Sequence, residues 1–459
     1  MHDLSINELS ELIRSREVSP VEVTDHMLDR IETTDPTYRS YVTVTAERAR
    51  QQAAQAEAEI AGGNWRGPLH GVPIAVKDIL FTDFAPTTAG SVLHRDFQPD
   101  HNATVVDRLE GAGAITLGKL KTTEHAFTAH HPEVEPPVNP WNADYWSGAS
   151  SSGPGVATAA CLAFGTVGSD TAGSIRFPAS QNGVTGIKPG WGRVSRYGVF
   201  PVADSLDHIG PLCRTAVDAA IMLRVMAGPD PADPTAVSAP VPDYAAACGG
   251  DLRGIRIGLP RDYATQDVAD PLVAALEQAA QALRAAGAEI KEIVFPDYQP
   301  ALAGLMVILG AEAVWSHRET YPAKAELYGP ELGGFLEVMS GVSAQDLAAA
   351  QLARQAFSYE VSAMFRDTDL MLIPTSARTA FTRTEWDELA ASGDVVQAFR
   401  FSAPYDLTGS PTMMLPAGFD DNQMPITMQL VSDHLGESTL CRAGAAFQRQ
   451  TDWHTRHPR

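Results

Sequence analysis

Cysteine is scarce. The four in 459 residues, Cys161, Cys213, Cys248 and Cys441, lie far apart, with no C-x-x-C pair and no short metal-ligand spacing. That excludes a disulfide scaffold, and the thiols are expected to be reduced and buried, as in a cytoplasmic enzyme. Basic charge is also short. The 34 Lys and Arg stand against 56 Asp and Glu, a net charge of −22. Such a surface repels phosphate backbones, so no nucleic-acid partner is expected. No run approaches the ~20 uninterrupted apolar residues of a membrane-spanning helix. The opening Met1–Ser5 has neither the basic nor the apolar region of a signal peptide. The expectation is a cytoplasmic protein without a membrane partner.

Two familiar catalytic patterns are missing as well. There is no G-x-S-x-G elbow: Ser174 has Ala172 two residues before it and Arg176 two after, which argues against an α/β-hydrolase site. Gly113-x-x-x-x-Gly118-Lys119 nearly spells a phosphate loop. The next residue is Leu120, which has no hydroxyl for magnesium, so a strand followed by a turn is expected there.

What is present is the composition of a globular chain with a large core, 44% hydrophobic and 20% charged. Length alone suggests about three domains, and the Pro-, Ala- and Asp-rich stretch Pro229–Pro242 is the best linker candidate. Residues 4–33 read as two helices, the second opened by Ser19-Pro20. Ala46–Ile60 reads as a helix stopped by Gly62-Gly63. Leu69–Ile79 is an apolar run that delivers Lys77 near its end, as a buried strand would. Further strands are expected over Cys161–Gly168, Gly254–Leu259, Glu289–Phe295, Leu370–Pro374 and Thr412–Pro416, with helices over Pro271–Gly287 and Ala301–Val314. Strand–helix–strand alternation implies an α/β fold with a parallel or mixed sheet.

Glycine and serine concentrate in Ser147–Gly155 and Gly168–Pro178. A flexible linker would not be interrupted by the apolar run Val156–Val167. A serine nucleophile needs a base, and the thirteen histidines are scattered outside any motif. Lys77 is the better base, because desolvation lowers a lysine pKa by up to ~3–5 units and a neutral amine accepts a proton. The small residues before Ser174 let the backbone N–H groups of Thr171, Ala172, Gly173 and Ser174 converge on a developing oxyanion.

These segments resemble the amidase-signature family, whose motifs are written G-G-S-S-G-G-S and G-S-D-x-G-G-S-I-R. The resemblance continues through Gly183–Pro189, Gly192–Phe200 and Ser205–Pro211. It also takes in the lysine strand Gly71–Asp78 and the closing stretches Asp406–Pro411 and Pro425–Leu430, so it covers nearly the whole chain. It implies one large domain over residues 1–459, a central twisted mixed sheet covered by helices on both faces. The signature core would lie at roughly 69–220 and a substrate-pocket half at roughly 250–459. It implies Ser174 as the nucleophile that forms the acyl-enzyme. Ser150, after a cis Ala149–Ser150 bond, would be the bridge that relays a proton to Lys77 and back to the leaving amine. Ser151, Asp170 and Arg176 match supporting positions, and Arg176 reads equally well as a plain ion-pair partner of Asp170. Three residues depart from the pattern. Ala149, Ser152 and Ala172 stand where the family has glycine, and an alanine at positive φ would be strained.

The implied activity is hydrolysis of linear amides, with aryl or acyl amides, carbamates (urethanes) and esters as further substrates. No cofactor and no metal are expected. The partner is a small-molecule amide or carbamate, and a homodimer is compatible with the resemblance. The glutaminase-type component of a tRNA-dependent amidotransferase shares the signature. Its usual Tyr-Asp-Gly-x-Arg-Tyr-Gly segment is missing after Ala311-Glu312-Ala313, which favours a stand-alone amidase. A non-catalytic binding protein is disfavoured because Lys77, Ser150 and Ser174 are all present. The helix Ala301–Val314 could line an acyl pocket, but apolar helix faces usually pack into a core.

Overall fold

The computed structural model describes residues 1–392 and 395–458. Its strands are β1 (Tyr41–Val44), β2 (Pro73–Lys77), β3 (Ile115–Leu120), β4 (Gly165–Asp170), β5 (Thr185–Lys188), β6 (His208–Cys213), β7 (Arg256–Leu259), β8 (Glu289–Glu292), β9 (Leu370–Pro374), β10 (Thr412–Phe419) and β11 (Pro425–Val431). Among the described residues they form one sheet in the order β1-β3-β2-β4-β6-β5-β10-β11-β9-β7-β8, flanked by helices. Strands β3, β2 and β4 run parallel, as do β8, β7 and β9. Antiparallel β6, β5, β10 and β11 join the two parallel groups. The sheet is therefore mixed, as the alternation of elements implied.

Local sequence explains the start of the chain. Ser5 and Ser19 each cap a helix and are answered by Glu8 and Glu22 in reciprocal capping boxes, the second helix having Pro20 at its first position. That helix runs on to Tyr38, beyond the expected end. Asp35 then receives the N–H groups of Ser40 and Tyr41 at 2.8 and 3.1 Å, turning the chain into β1.

Two expectations change. The strand proposed over Cys161–Gly168 begins only at Gly165, because Cys161 takes a left-handed φ of 54° and Leu162 N–H folds back onto Ala157 O at 2.8 Å. Before it, Ser152–Ala159 is a helix despite its glycines and proline. A Cβ at Gly153 would sit 2.6 Å from the Lys121 backbone, so the close approach of the chains selects a poor helix former. Pro229–Pro242 is no interdomain linker. Arg193 donates to Ala239 O at 3.1 Å and Pro240 O at 2.8 Å, while Asp230 and Asp233 accept from Ser195 and from the Arg196 N–H.

Helix Gln299–Ser316 is long and apolar enough, by length and composition, to cross a membrane. Here Ala301, Leu302, Leu305, Ile308 and Leu309 are buried within the protein. The four cysteines are free and buried.

The near-phosphate loop is β3 itself. Lys119 is fully buried, donates to Leu80 O and Thr87 Oγ1 at 2.8 and 2.7 Å, and lies 3.2 Å from Asp78 Oδ1. Removing one member of a buried pair strands the other. Lys119→Ala is therefore expected to lower unfolding stability by about 3 kcal/mol, read from urea denaturation, with Asp78→Asn in the same background restoring part of the loss.

Candidate active site

Lys77 ends β2, and β4 runs parallel beside it with Ala75 opposite Thr166 and Val76 opposite Val167. The carboxyl ends of both strands consequently open on the same side of the sheet, which brings Ser169 to Lys77. Lys77 is fully buried. Its Nζ lies 2.7 Å from Ser150 Oγ, 2.8 Å from Ser169 Oγ and 3.0 Å from Ser151 Oγ. Desolvation pulls it down from the usual lysine value to about 7, against the opposing fields of Asp170 and Asp207. Among the described residues three hydroxyls and no carboxylate touch it, so nothing described in contact fixes it as an ammonium.

The Ala149–Ser150 peptide is cis. Ser150 O accepts from Thr122 Oγ1 at 3.2 Å and Thr123 N–H at 3.3 Å, anchoring the residue in the turn before helix Ser152–Ala159. Neither Ala149 nor Ala172 takes a positive φ. The neighbouring Gly148 and Gly173 do, at 80° and 138°. A Cβ on Gly173 would stand 2.5 Å from the Phe177 ring. The alanine departures therefore introduce no strain, since the left-handed positions are still glycine. Ser152, the third departure, places its Oγ 3.2 Å from His130 Nε2. Burial pushes His130 down to about 3, so that imidazole is neutral.

Ser174 is half-buried, and its carbonyl accepts from Ser151 N–H at 3.1 Å. Among the described residues its hydroxyl has no hydrogen-bond partner, so Lys77, Ser150 and Ser151 are brought into contact while Ser174 Oγ is not hydrogen-bonded to them. In the loop Thr171–Ser174, the Gly173 N–H is donated to Asp170 Oδ1 at 2.6 Å. The N–H groups of Thr171, Ala172 and Ser174 donate to nothing among the described residues. Three of the four expected donors are thus free, and the fourth ties the loop to Asp170.

Arg176 is a buried ion-pair partner. It donates to Asp170 through Nε at 3.0 Å and Nη2 at 2.8 Å, reaches Asp406 with Nη2, and gives Nη1 to Ser402 O at 2.6 Å. Burial opposes the charge on Asp170, but the Arg176 guanidinium outweighs it and holds the carboxyl below its ordinary range. Two further residues join the site without having been singled out in the sequence. Ser169 could have been found from strand parity, since it sits at the end of β4 beside the Lys77 strand. Asp207 accepts from Thr171 Oγ1 at 2.6 Å, a contact that no local spacing signals.

A cavity of about 50 Å³ opens over Thr171–Ser174. Leu305, Met306 and Leu309 line it from helix Gln299–Ser316, and Trp146, Phe177 and Trp386 close other walls. The expectation of pure core packing for that helix thus fails on one face, while Leu302 and Ile308 remain core. A second cavity of about 300 Å³ adjoins it, sharing Thr128, Trp146 and Trp386 and lined further by His130, Ser152 and Arg383. Trp146 and Trp386 stack at 3.7 Å between centroids in the wall common to both. Among the described residues no group of three or more His, Cys, Asp or Glu is placed to hold a metal ion.

The family model described as Amidase matches residues 22–441, and the chain belongs to that family. It is a hydrolase of amide C–N bonds. The provisionally named amidase AmiD of Mycobacterium tuberculosis is 42% identical over 460 residues, covering 99% of this chain and 96% of its own. The A component of the glutamyl-tRNA(Gln) amidotransferase of Trichlorobacter lovleyi is 37% identical over 485 residues, covering 99% of each. The crystal structure of a bacterial aryl acylamidase superposes with a TM-score of 0.87 at 25% identity, covering 98% of this chain and 96% of that one.

Arg176 is the cation shared by two buried carboxylates. Arg176→Ala is expected to cost about 3–5 kcal/mol in denaturant unfolding. Arg176→Lys should recover only part of that, because an ammonium cannot match the bidentate fork.

Proposed function

We propose that this amidase hydrolyses linear amides through an acyl-enzyme on Ser174, with Lys77 as the base and Ser150 as the proton relay. The observation that carries the reading is the Lys77 amine, fully buried, held near 7 and set against Ser150 and Ser151. Neutral Lys77 draws a proton from Ser150, which takes one from Ser174 as the hydroxyl attacks the carbonyl carbon. The free N–H groups of Thr171, Ala172 and Ser174 supply donors for the oxyanion. On collapse, the Lys77 ammonium returns its proton through Ser150 to the leaving nitrogen, and a water molecule repeats the sequence to release the acid. The Ser174 hydroxyl, without a hydrogen-bond partner among the described residues, fits a relay whose last link forms when substrate fills the pocket.

The pocket supports an apolar acyl portion, aromatic or short aliphatic, against Leu305, Met306 and Phe177. The aryl acylamidase among the similar structures points the same way. Carbamates and esters of like shape present the same carbonyl. The glutaminase-type reading is represented among the relatives. It is less well supported here, because glutamine's polar side chain gains little from walls of Leu, Met, Phe and Trp. We therefore read the enzyme as acting on small molecules without partner subunits.

Ser174→Ala should abolish both turnover and labelling by a serine-reactive fluorophosphonate. Labelling that persists would place the nucleophile elsewhere. In a panel of anilides, primary amides, carbamates, esters and glutamine, anilides should lead and glutamine should trail, and a preference for glutamine would reverse the substrate assignment. Activity requires the neutral amine, so kcat/KM should rise with pH through a midpoint near 7. Lys77→Ala should lower it by about 10²–10⁴-fold and remove that limb.

A further inference from the structure

A cavity of about 100 Å³, lined by Ser169, Asp207, Arg196 and Asp204 among others, meets the substrate pocket at Val202. Ser169, which touches Lys77 Nζ, and Asp207 thus line one chamber, whose remaining wall is largely apolar, from Ile79, Val199, Phe200 and Ile209. The Arg196 Nε is buried with no partner among the described residues, a donor that water in this chamber would satisfy. Asp204 carries the chamber toward solvent, its side chain being 73% exposed and 2.7 Å from Arg196 Nη1.

The charges around Lys77 divide unequally. Asp170, on β4, is committed to Arg176 by two hydrogen bonds. Asp207, just before β6, accepts from Thr171 Oγ1 at 2.6 Å and from the N–H groups of Val202 and Ala203 at 2.9 and 3.2 Å. It has no salt bridge among the described residues, although the Arg196 cation lies across the chamber. A lysine that becomes an ammonium in a water-poor interior needs an anion whose charge is not already matched.

We propose that Asp207 is a positioning residue for the reaction: it is the counter-ion of the ammonium that Lys77 becomes during turnover, and it fixes Thr171 of the oxyanion loop with the same carboxylate. The proposal rests on the reading of Lys77 as the base. Asp207 acts across the chamber and not by contact, so Lys77 keeps its three hydroxyl neighbours and can still lose the proton. A carboxylate in direct contact would hold the ammonium and stop the relay. Burial raises Asp207 to about 6, so the carboxylate is charged in the range where Lys77 titrates.

The test is the pH dependence of kcat/KM for an anilide. Removing the anion should make the ammonium less stable, so Asp207→Asn is expected to move the acid midpoint down by about one pH unit. Asp207→Glu should return it toward the wild-type position. Thr171→Val keeps the carboxyl group but removes the hydrogen bond that helps hold it charged, so it should move the midpoint the same way as Asp207→Asn by less, which tests the charge argument even if Asp207→Asn fails to fold. A uniform loss in Asp207→Asn at every pH, or an unmoved midpoint in either Asp207→Asn or Thr171→Val, would overturn the proposal. Survival of the acid limb in Lys77→Ala would instead remove the lysine-base reading on which it depends.

Discussion

The site depends on one constraint, the sealing of the Lys77 amine from bulk water. An isolated charge in such a place is strongly disfavoured, and burial pulls the amine into the range where it exchanges a proton near neutrality. Contact with hydroxyls keeps that balance. Ser150, Ser151 and Ser169 can each donate or accept, so they accommodate both states of the amine without choosing between them. The carboxylates are held off by construction. Asp170 faces Arg176, and Asp207 faces Thr171 and the backbone of Val202 and Ala203.

The sheet makes this arrangement cheap to position. Parallel β2 and β4 end together, so a lysine on one and a Ser-Asp pair on the other converge without a long loop. Alternate residues at the end of β4 serve different tasks, as side chains on a strand point to opposite faces. Ser169 turns to the amine, and Asp170 turns to Arg176 and the Gly173 N–H. One short strand end therefore sets both the base and the loop that carries Ser174.

Much of this was legible in the sequence. An apolar run ending in lysine could be little else than a buried strand delivering a buried amine, and paired Gly/Ser segments flanking an apolar run could not be a linker. The cis bond before Ser150 followed from the family resemblance. What stayed hidden lacked a local signal. Asp207 meets Thr171 only because β6 pairs with β4 antiparallel, placing Asp170 opposite His208, and a sequence does not display its pairings. Helix Ser152–Ala159 was obscured because its glycines were selected for close packing against Lys121 and Asn182 and not for helix propensity. Pro229–Pro242 had the composition of a linker, yet buried Arg193 binds it to the body of the protein. Helix Gln299–Ser316 divides its apolar residues between core and pocket, a division that periodicity alone does not draw.

The anchoring of Arg176 has a consequence in time. Its partners Asp406 and Ser402 come more than two hundred residues later, and strand β10 must enter beside β5 before the sheet is continuous. During synthesis the lysine strand and both serine segments emerge long before the residues that lock their geometry. The nascent chain therefore carries every candidate reacting group while lacking the frame that makes a serine nucleophilic. The closing strands thus complete the frame around these groups last in the order of synthesis.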